Sequence, residues 1–169
     1  PKEHVLTYGD SLVGLQVFYL PLRLVTGKAV LAYNLTFLLQ MVLSGYAAFL
    51  LARYVTGHIP GSLLAGALFQ ALPYKVCHAD HLHQVALGFV PLVLLFALRA
   101  LGGGATLHAA LASLSCVLGF LTSFYAGMFS CVLMGGLVAT DLVLGRRSGR
   151  SWARLAAAPV LAGVVLAAF

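Results

Sequence analysis

Residues able to do chemistry are concentrated in one polar segment, residues 73–84 (PYKVCHADHLHQ). Imidazole and carboxylate groups at short spacing can ligate zinc or another divalent metal. On a helix, His78 would share a face with His81, because residues three apart are neighbours there. Asp80 and His83 have the same spacing. The segment has the residue types for metal or anion binding, but it carries neither an HExxH motif nor a Cys/His finger pattern.

Three interpretations of the polar segment follow from its composition. In the first, its side chains bind an anionic or lipid-phosphate headgroup, because lysine and protonated histidine form strong hydrogen bonds to phosphate. The candidate ligands are then Tyr74, Lys75, His78 and His81. In the second, Asp80 and His83 ligate a divalent metal ion such as Mg²⁺ or Mn²⁺. In the third, the segment is a solvated loop between helices. We favour the first.

One acidic residue, Asp10 in the stretch Thr7–Ser11 (TYGDS), precedes an apolar run. A carboxylate in this position can act as a general base or hold a metal ion. An Asp-Ser pair before an apolar run is also typical of a helix N-cap, in which the side chain accepts a hydrogen bond from a backbone N–H group. Both roles stay open for Asp10, which is the candidate catalytic residue.

Composition indicates that these residues belong to a membrane protein. Apolar residues make up 62% of the 169 positions and charged residues 8%, with a mean hydropathy of +1.01. A soluble domain has about 45–50% apolar and about 25% charged residues. The formal charge of +6 does not indicate nucleic-acid binding, because four of the ten basic residues lie in one loop, Arg146–Arg154. A basic cluster at the end of an apolar segment is instead typical of a topology signal.

The sequence predicts an all-α, polytopic transmembrane helix bundle of about six spans. Lipid requires internally paired backbone groups, so each span must be a helix, of about 20 residues. The predicted spans are Ala29–Leu51, Ser62–Val76, Val85–Leu101, Thr106–Leu121, Ala126–Leu144 and Leu155–Phe169. Upstream, Ser11–Val25 is apolar but interrupted by polar residues, which favours a helix in the outer interface. A seventh, short span broken at Pro21 is the alternative.

Alternating the loops across the bilayer sorts the charges between its two sides. One side holds six basic residues, which are Arg53, Arg99 and the four arginines of Arg146–Arg154. The richer side should be cytoplasmic, which makes Asp10 and His78–His83 extracytoplasmic. Residues 1–28 would form an extracytoplasmic loop with the interfacial helix, and residues 29–169 the transmembrane region. Both ends look cut, so we expect an internal fragment of a larger protein.

Three uncharged amide side chains lie inside the predicted spans, and such groups usually hydrogen-bond between helices. The amides expected to do so are Asn34, Gln40 and Gln70. Three scattered cysteines form no disulfide framework. Two of them, Cys116 and Cys131, lie in apolar runs and are expected to act as small packing residues.

Six successive stretches carry a family resemblance. They are HVLTYGDSLVG (4–14), GKAVLAYN (27–34), LSGY (43–46), LARYVTG (51–57), LPYKVCH (72–78, with His81) and LTSFYAGMF (121–129). In this order they resemble a group of bacterial polytopic proteins related to the GT-C glycosyltransferases. That class has multi-spanning membrane domains and uses polyprenyl-phosphate-linked sugars.

The resemblance implies a glycosyltransferase of the bacterial plasma (inner) membrane and cell envelope, with interfacial helices and an acidic catalytic residue or pair in an extracytoplasmic first loop. Asp10 occupies a place where relatives often carry an acidic residue. Lys75 stands where the family's Pro-Tyr-Arg-x-x-His stretch has arginine. The charge is kept, but the bidentate fork for a phosphate is lost.

The expected function is therefore inverting transfer of a sugar from a polyprenyl-phosphate donor at the outer membrane face. Asp10 would deprotonate or orient the acceptor hydroxyl. A divalent ion, or Lys75 with His78 and His81, would neutralise the phosphate leaving group. The fragment alone is expected to be inactive.

Two other classes compete with this interpretation. A transporter predicts ionisable residues deep in the spans, whereas charges here collect at span ends; a lipid flippase remains compatible with that distribution. A structural membrane subunit predicts that the polar segment tolerates substitution.

Overall fold

The computed structural model of the chain describes residues 12–103 and 106–144. Within these ranges the regular structure is entirely helical. The helices, in chain order, are α1 (Val13–Thr26), α2 (Ala29–Thr56), α3 (Ile59–Gln70), α4 (Pro73–Cys77), α5 (Leu82–Val85), α6 (Phe89–Leu101), α7 (Thr106–Thr122) and α8 (Phe124–Val143).

Local sequence accounts for the tight connections between the first three helices. Gly27 and Gly57 end α1 and α2 with φ values of 67° and 69°, a left-handed conformation that glycine adopts without steric cost. His58 then caps α3, because its Nδ1 accepts a hydrogen bond of 3.1 Å from the Gly61 N–H group. Pro60 in the first turn of α3 suits that position, where a backbone N–H has no helical partner.

The main core lies between α6, α7 and α8. Its fully buried side chains include Val93 and Ala97 of α6, Ala112 and Cys116 of α7, and Met134 of α8. Helix α2 packs on α6, α1 packs on both α2 and α7, and α3 packs chiefly on α2. The hairpin of α2 and α3 therefore stands at the edge of the bundle, with α4 and α5 leading back to the core.

In the part of the chain that the structure describes, three helical stretches are long and apolar enough to cross a membrane: Ala29–Thr56, Leu82–Leu101 and Phe124–Val143. Large apolar side chains on these helices are exposed, including Val42 at 66% and Val132 at 65%. Such exposure suits hydrocarbon as the surrounding solvent. The prediction of an all-α protein with membrane-crossing helices is confirmed at this level.

The predicted spans match the helices unevenly. Ala29–Leu51 and Ala126–Leu144 correspond to α2 and α8. The apolar stretch predicted as Val85–Leu101 begins at Leu82 and is divided into α5 and α6. Residues 62–76 are not one helix, because α3 ends at Gln70 and Pro73 starts the separate α4.

The remaining predicted elements leave the count of about six spans unconfirmed. Helix α7, with 17 residues, is an apolar helix shorter than the three stretches named above. Leu155–Phe169 lies outside the described residues. Helix α1 continues through Pro21 without a break there, so the segment is a helix as predicted, packed against α2 and α7. Its location in the outer interface stays a prediction.

Candidate functional site

One side of the candidate site is formed where α2 and α3 pack closely together. A Cβ atom at Gly66 would lie 2.8 Å from the Gly45 carbonyl oxygen, so glycine is required for this separation of the two backbones. One turn further along α3, the Gln70 side-chain amide donates a hydrogen bond to the Met41 carbonyl oxygen of α2. The predicted interhelical role of Gln70 is confirmed by this contact.

Lys75 of α4 is buried against the end of α3, with only 2% of its surface exposed. Its Nζ donates a hydrogen bond of 2.6 Å to Oε1 of Gln70 and lies 4.5 Å from the centre of the Phe69 ring. The Gln70 side chain thus bridges the Met41 carbonyl group and the Lys75 ammonium group. Burial lowers the pKa of Lys75 from 10.5 to about 8.

The charge of Lys75 is not balanced by an acid among the described residues, where Asp80–His81 forms the ion pair. A buried ammonium group loses much of its hydration, and one amide oxygen and one aromatic face replace only part of it. Anions are the groups that complete such an environment best. Lys75 therefore has the strongest local preference for an anionic ligand in this part of the chain.

Tyr74 and His78 form a stacked pair on the exposed side of α4. Their ring centres are 4.6 Å apart, and His78 Nδ1 lies 2.8 Å from the Tyr74 carbonyl oxygen. The Tyr74 side chain is exposed, and His78 is partly exposed. The Tyr74 carbonyl contact fixes the imidazole against the end of α4, and Nε2 is the ring nitrogen left for a ligand.

His81 and Asp80 form a second pair in the turn between α4 and α5. His81 Nδ1 lies 2.8 Å from Asp80 Oδ1, with both side chains exposed. The hydrogen bond from His81 is the main reason that the pKa of Asp80 is lowered. Residues 78–81 are not helical, so the shared helix face expected for His78 and His81 does not form.

The structure gives limited support for a metal site in the polar segment. Asp80 contacts His81, and the ring of His83 lies edge-on to that of His81 with centres 5.6 Å apart. Among residues 12–103 and 106–144, three or more His, Cys, Asp or Glu side chains nowhere gather into a set able to hold a metal ion. The divalent-ion assignment of Asp80 and His83 stays a prediction.

The candidate catalytic residue, Asp10, lies outside the described residues, as does the Arg146–Arg154 loop. The N-cap position of α1 is occupied by Leu12, which has a φ of 54° and makes no side-chain capping hydrogen bond. The catalytic and capping assignments of Asp10 both stay predictions.

Two of the three span amides differ from their expected roles. Asn34 is exposed rather than buried between helices, and Gln40 is 2% exposed with no hydrogen-bond partner for its Nε2. An interhelical hydrogen bond comes instead from Ser44, whose hydroxyl donates to the Val85 carbonyl oxygen at 3.2 Å. Ser44 lies on the buried face of α2, and its spacing along the helix is the signal that could have identified it.

The two span cysteines are packing residues that also contact each other. Cys116 of α7 and Cys131 of α8 are free thiols with their sulfur atoms 3.7 Å apart. The connection between α7 and α8 lies about midway between the two cysteines. A separation of 15 residues therefore places them at the same level of adjacent antiparallel helices.

The site residues thus fall into two groups. The first is Lys75 with its partners Gln70 and Phe69, and with the Met41 carbonyl group that holds Gln70; sequence reasoning missed these contacts. The second is the exposed turn bearing Asp80 and His81. Comparison with protein-family models, curated proteins and solved structures finds no match to this chain.

Proposed function

We propose that this chain is part of an integral membrane glycosyltransferase that transfers a sugar from a polyprenyl-phosphate donor at the extracytoplasmic face. The observation that supports the proposal most is the burial of Lys75 without an acidic partner among residues 12–103 and 106–144. A cation in this state favours a phosphate, whose charge replaces the lost hydration. Lys75 lies between α3 and α5, at helix ends, where it would be within reach of a lipid headgroup.

The proposed reaction needs a base at the acceptor hydroxyl and a positive charge at the phosphate leaving group. The acceptor hydroxyl oxygen forms a bond to the anomeric carbon, and its proton passes to the carboxylate of Asp10. The bond between the anomeric carbon and the phosphate oxygen breaks, and the electron pair stays on the phosphate. Lys75, with His78 and His81 nearby in sequence, would stabilise that developing charge, and a divalent ion such as Mg²⁺ or Mn²⁺ is the alternative source of positive charge.

The proposal is tested in liposomes that contain the full-length parent protein and polyprenyl-phosphate donors with radiolabelled sugars. The measured quantity is the release of polyprenyl phosphate, with and without a metal chelator. We expect Lys75→Met and Asp10→Asn to remove release, and His81→Ala to lower it. Lys28→Met is the matched control, because Lys28 is exposed in the linker before α2. Equal release from Lys75→Met, Asp10→Asn and the unmodified chain would refute the assignment.

The same preparation separates the two competing classes. Movement of the labelled lipid between leaflets without release of the sugar would indicate a flippase. A polar segment that tolerates every substitution, in a chain that still assembles in the membrane, would indicate a structural subunit.

A further inference from the structure

Cys116 and Cys131 are two free thiols to which the proposed reaction assigns no role. Their sulfur atoms lie 3.7 Å apart, across the contact between α7 and α8. Two thiol groups at this distance can share a weak hydrogen bond, and they are also the reactants from which a disulfide forms. A disulfide bond is about 2.05 Å long, so the sulfur atoms would have to approach by about 1.7 Å. Rotation about the two Cα–Cβ bonds produces a shift of that size.

The backbones of α7 and α8 lie close together beside this pair of thiols. About one turn nearer the connection between the helices, a Cβ atom built on Gly119 of α7 would lie 3.9 Å from the Cα atom of Gly127 on α8. A Cβ atom on Gly127 would overlap the ring of Phe120, so this approach requires glycine. Disulfides join residues whose Cα atoms are about 4.4–6.8 Å apart. The close approach of the two helices therefore favours a bond between the cysteines.

The two thiols differ in how far the surroundings can reach them. Cys116 is completely buried, in a core that includes Ala112 and Val117. Cys131 is only partly buried, and its neighbours on α8, Met128 and Val132, are exposed. Because α8 is apolar enough to cross a membrane, its exposed side chains are expected to face hydrocarbon. An oxidant dissolved in hydrocarbon would therefore meet Cys131 first.

We propose that Cys116 and Cys131 form a reversible disulfide in response to lipid hydroperoxides, with Cys131 as the thiol that reacts first and Cys116 as the thiol that resolves the product. Hydroperoxides of acyl chains are oxidants that form within hydrocarbon. An accessible cysteine beside a resolving cysteine is typical of redox-sensitive pairs. The inference is independent of the proposed sugar transfer, because neither thiol lies in the polar segment 73–84.

The oxidation has two balanced steps. The Cys131 sulfur attacks the outer oxygen of the hydroperoxide, the O–O bond breaks, and the thiol proton passes to the oxygen that leaves as a lipid alcohol. The product is a sulfenic acid, whose sulfur Cys116 then attacks. The S–S bond forms, the S–O bond breaks, and the hydroxyl group leaves with the Cys116 proton as water. The two thiols together lose two electrons, which the peroxide gains, and a dithiol reductant reverses the change.

Peroxide treatment of the full-length parent protein in liposomes of saturated phosphatidylcholine tests the inference. The probe is cumene hydroperoxide, which is apolar, and peptides are mapped by mass spectrometry after alkylation of the remaining thiols. We expect a linked Cys116–Cys131 peptide pair, lighter by two hydrogen atoms, that dithiothreitol separates again. Hydrogen peroxide at the same concentration should form the link at least fivefold more slowly, because it partitions poorly into hydrocarbon. Cys77, which is exposed, is the internal control and should not be linked to either cysteine.

Serine variants separate the roles of the two thiols. In Cys116→Ser the sulfenic acid at Cys131 has no resolving partner, so its capture by dimedone should rise at least threefold over the unmodified protein. Equal capture at Cys131 with and without Cys116, or stronger capture at Cys116 in Cys131→Ser, overturns the assignment of roles. Absence of the linked pair, or equal linkage through Cys77, overturns the whole inference. The link is measured in the unmodified sequence, so that result does not depend on the folding of a variant.

Discussion

Lys75 and the Asp80–His81 pair lie in the same polar segment but in opposite environments. Lys75 is 2% exposed and held by Gln70 and Phe69. The side chains of Asp80 and His81 are 73% and 51% exposed. Electrostatic interactions are weak in water and strong where water is excluded. The buried cation is therefore expected to dominate ligand binding, and the exposed pair to contribute little.

This contrast shows that residue type alone does not tell which side chains of residues 73–84 contribute most to ligand binding. Sequence composition made the histidines and the lysine equivalent candidates for phosphate binding. The packing of α3 against α2 separates them, because it holds the Gln70 amide and the Phe69 ring against the buried ammonium group. Each of the following experiments either removes the difference between the two environments or measures it.

Removal of the buried charge should have the largest effect. Lys75→Met keeps the apolar stem but cannot bind a phosphate, and loss of one partner of a buried charge pair costs about 2–5 kcal/mol, or roughly 30-fold or more in affinity. The measurement is the dissociation constant for farnesyl phosphate in nanodiscs. The unfolding temperature should change little, because relief of ammonium desolvation offsets the hydrogen bond lost by Gln70. Unchanged affinity, with Lys28→Met as control, would remove Lys75 from the site.

The pH dependence of binding should report the buried lysine. Its pKa is lowered to about 8, so the ammonium group that binds the phosphate is lost as the pH rises through that value. Between pH 7 and pH 9 the charged fraction falls by up to roughly tenfold, and affinity should fall with it. Lys75→Arg stays charged over this range and corrects for titration of the phosphate itself. Parallel profiles for the two proteins would show that another group controls binding.

Replacement of the Gln70 amide by a carboxylate should change the pKa of Lys75 while the lysine itself is kept. Gln70→Glu gives Lys75 an anionic partner, which raises the lysine pKa and competes with the ligand. We expect affinity to fall about fivefold, near 1 kcal/mol, which is less than for Lys75→Met. Tighter binding in Gln70→Glu would contradict the view that an unbalanced charge drives recognition.

Moving α3 away from α2 should affect the buried Lys75 and leave the exposed Asp80–His81 pair unchanged. In Gly66→Ala the added methyl group meets the Gly45 carbonyl oxygen, and such overpacking costs about 1–3 kcal/mol of unfolding free energy. Affinity should fall two- to threefold because Gln70 and Lys75 shift with α3. Gly135→Ala is the matched control, since a Cβ there has open space and helix propensity improves by about 0.5–1 kcal/mol. Equal stability of both alanine variants would show that α2 and α3 are not in close contact.

Sequence reasoning predicted the helical class and the longest elements because these depend on local composition. The stretches Ala29–Thr56 and Phe124–Val143 are long and predominantly apolar, so their helices follow from the requirement to pair backbone groups in lipid. The division of residues 59–77 was missed. Pro73 ends one helical stretch and begins another, and hydropathy alone does not register that change of direction.

The environment of the candidate site depends on contacts between distant parts of the chain. The residue types in the segment 73–84 were sufficient to select Lys75 as a candidate phosphate ligand. Its partners were not predictable, because the Met41 carbonyl group that anchors Gln70 lies 29 positions away from that residue. The contact between Cys116 and Cys131 was missed for a similar reason, since it depends on how α7 turns into α8.

The smallest effect should come from the exposed pair. Asp80→Asn removes the partner of His81, but water already surrounds both side chains and screens their attraction. The carboxylate, whose pKa is lowered chiefly by the hydrogen bond from His81, stabilises the fold above its usual pKa and loses that contribution as the pH falls. At neutral pH we expect Asp80→Asn to change farnesyl phosphate affinity less than twofold and the unfolding temperature immeasurably. A loss as large as that of Lys75→Met, reversed by excess Mg²⁺ or Mn²⁺, would instead assign Asp80 to a metal site and reverse the ranking of the two environments.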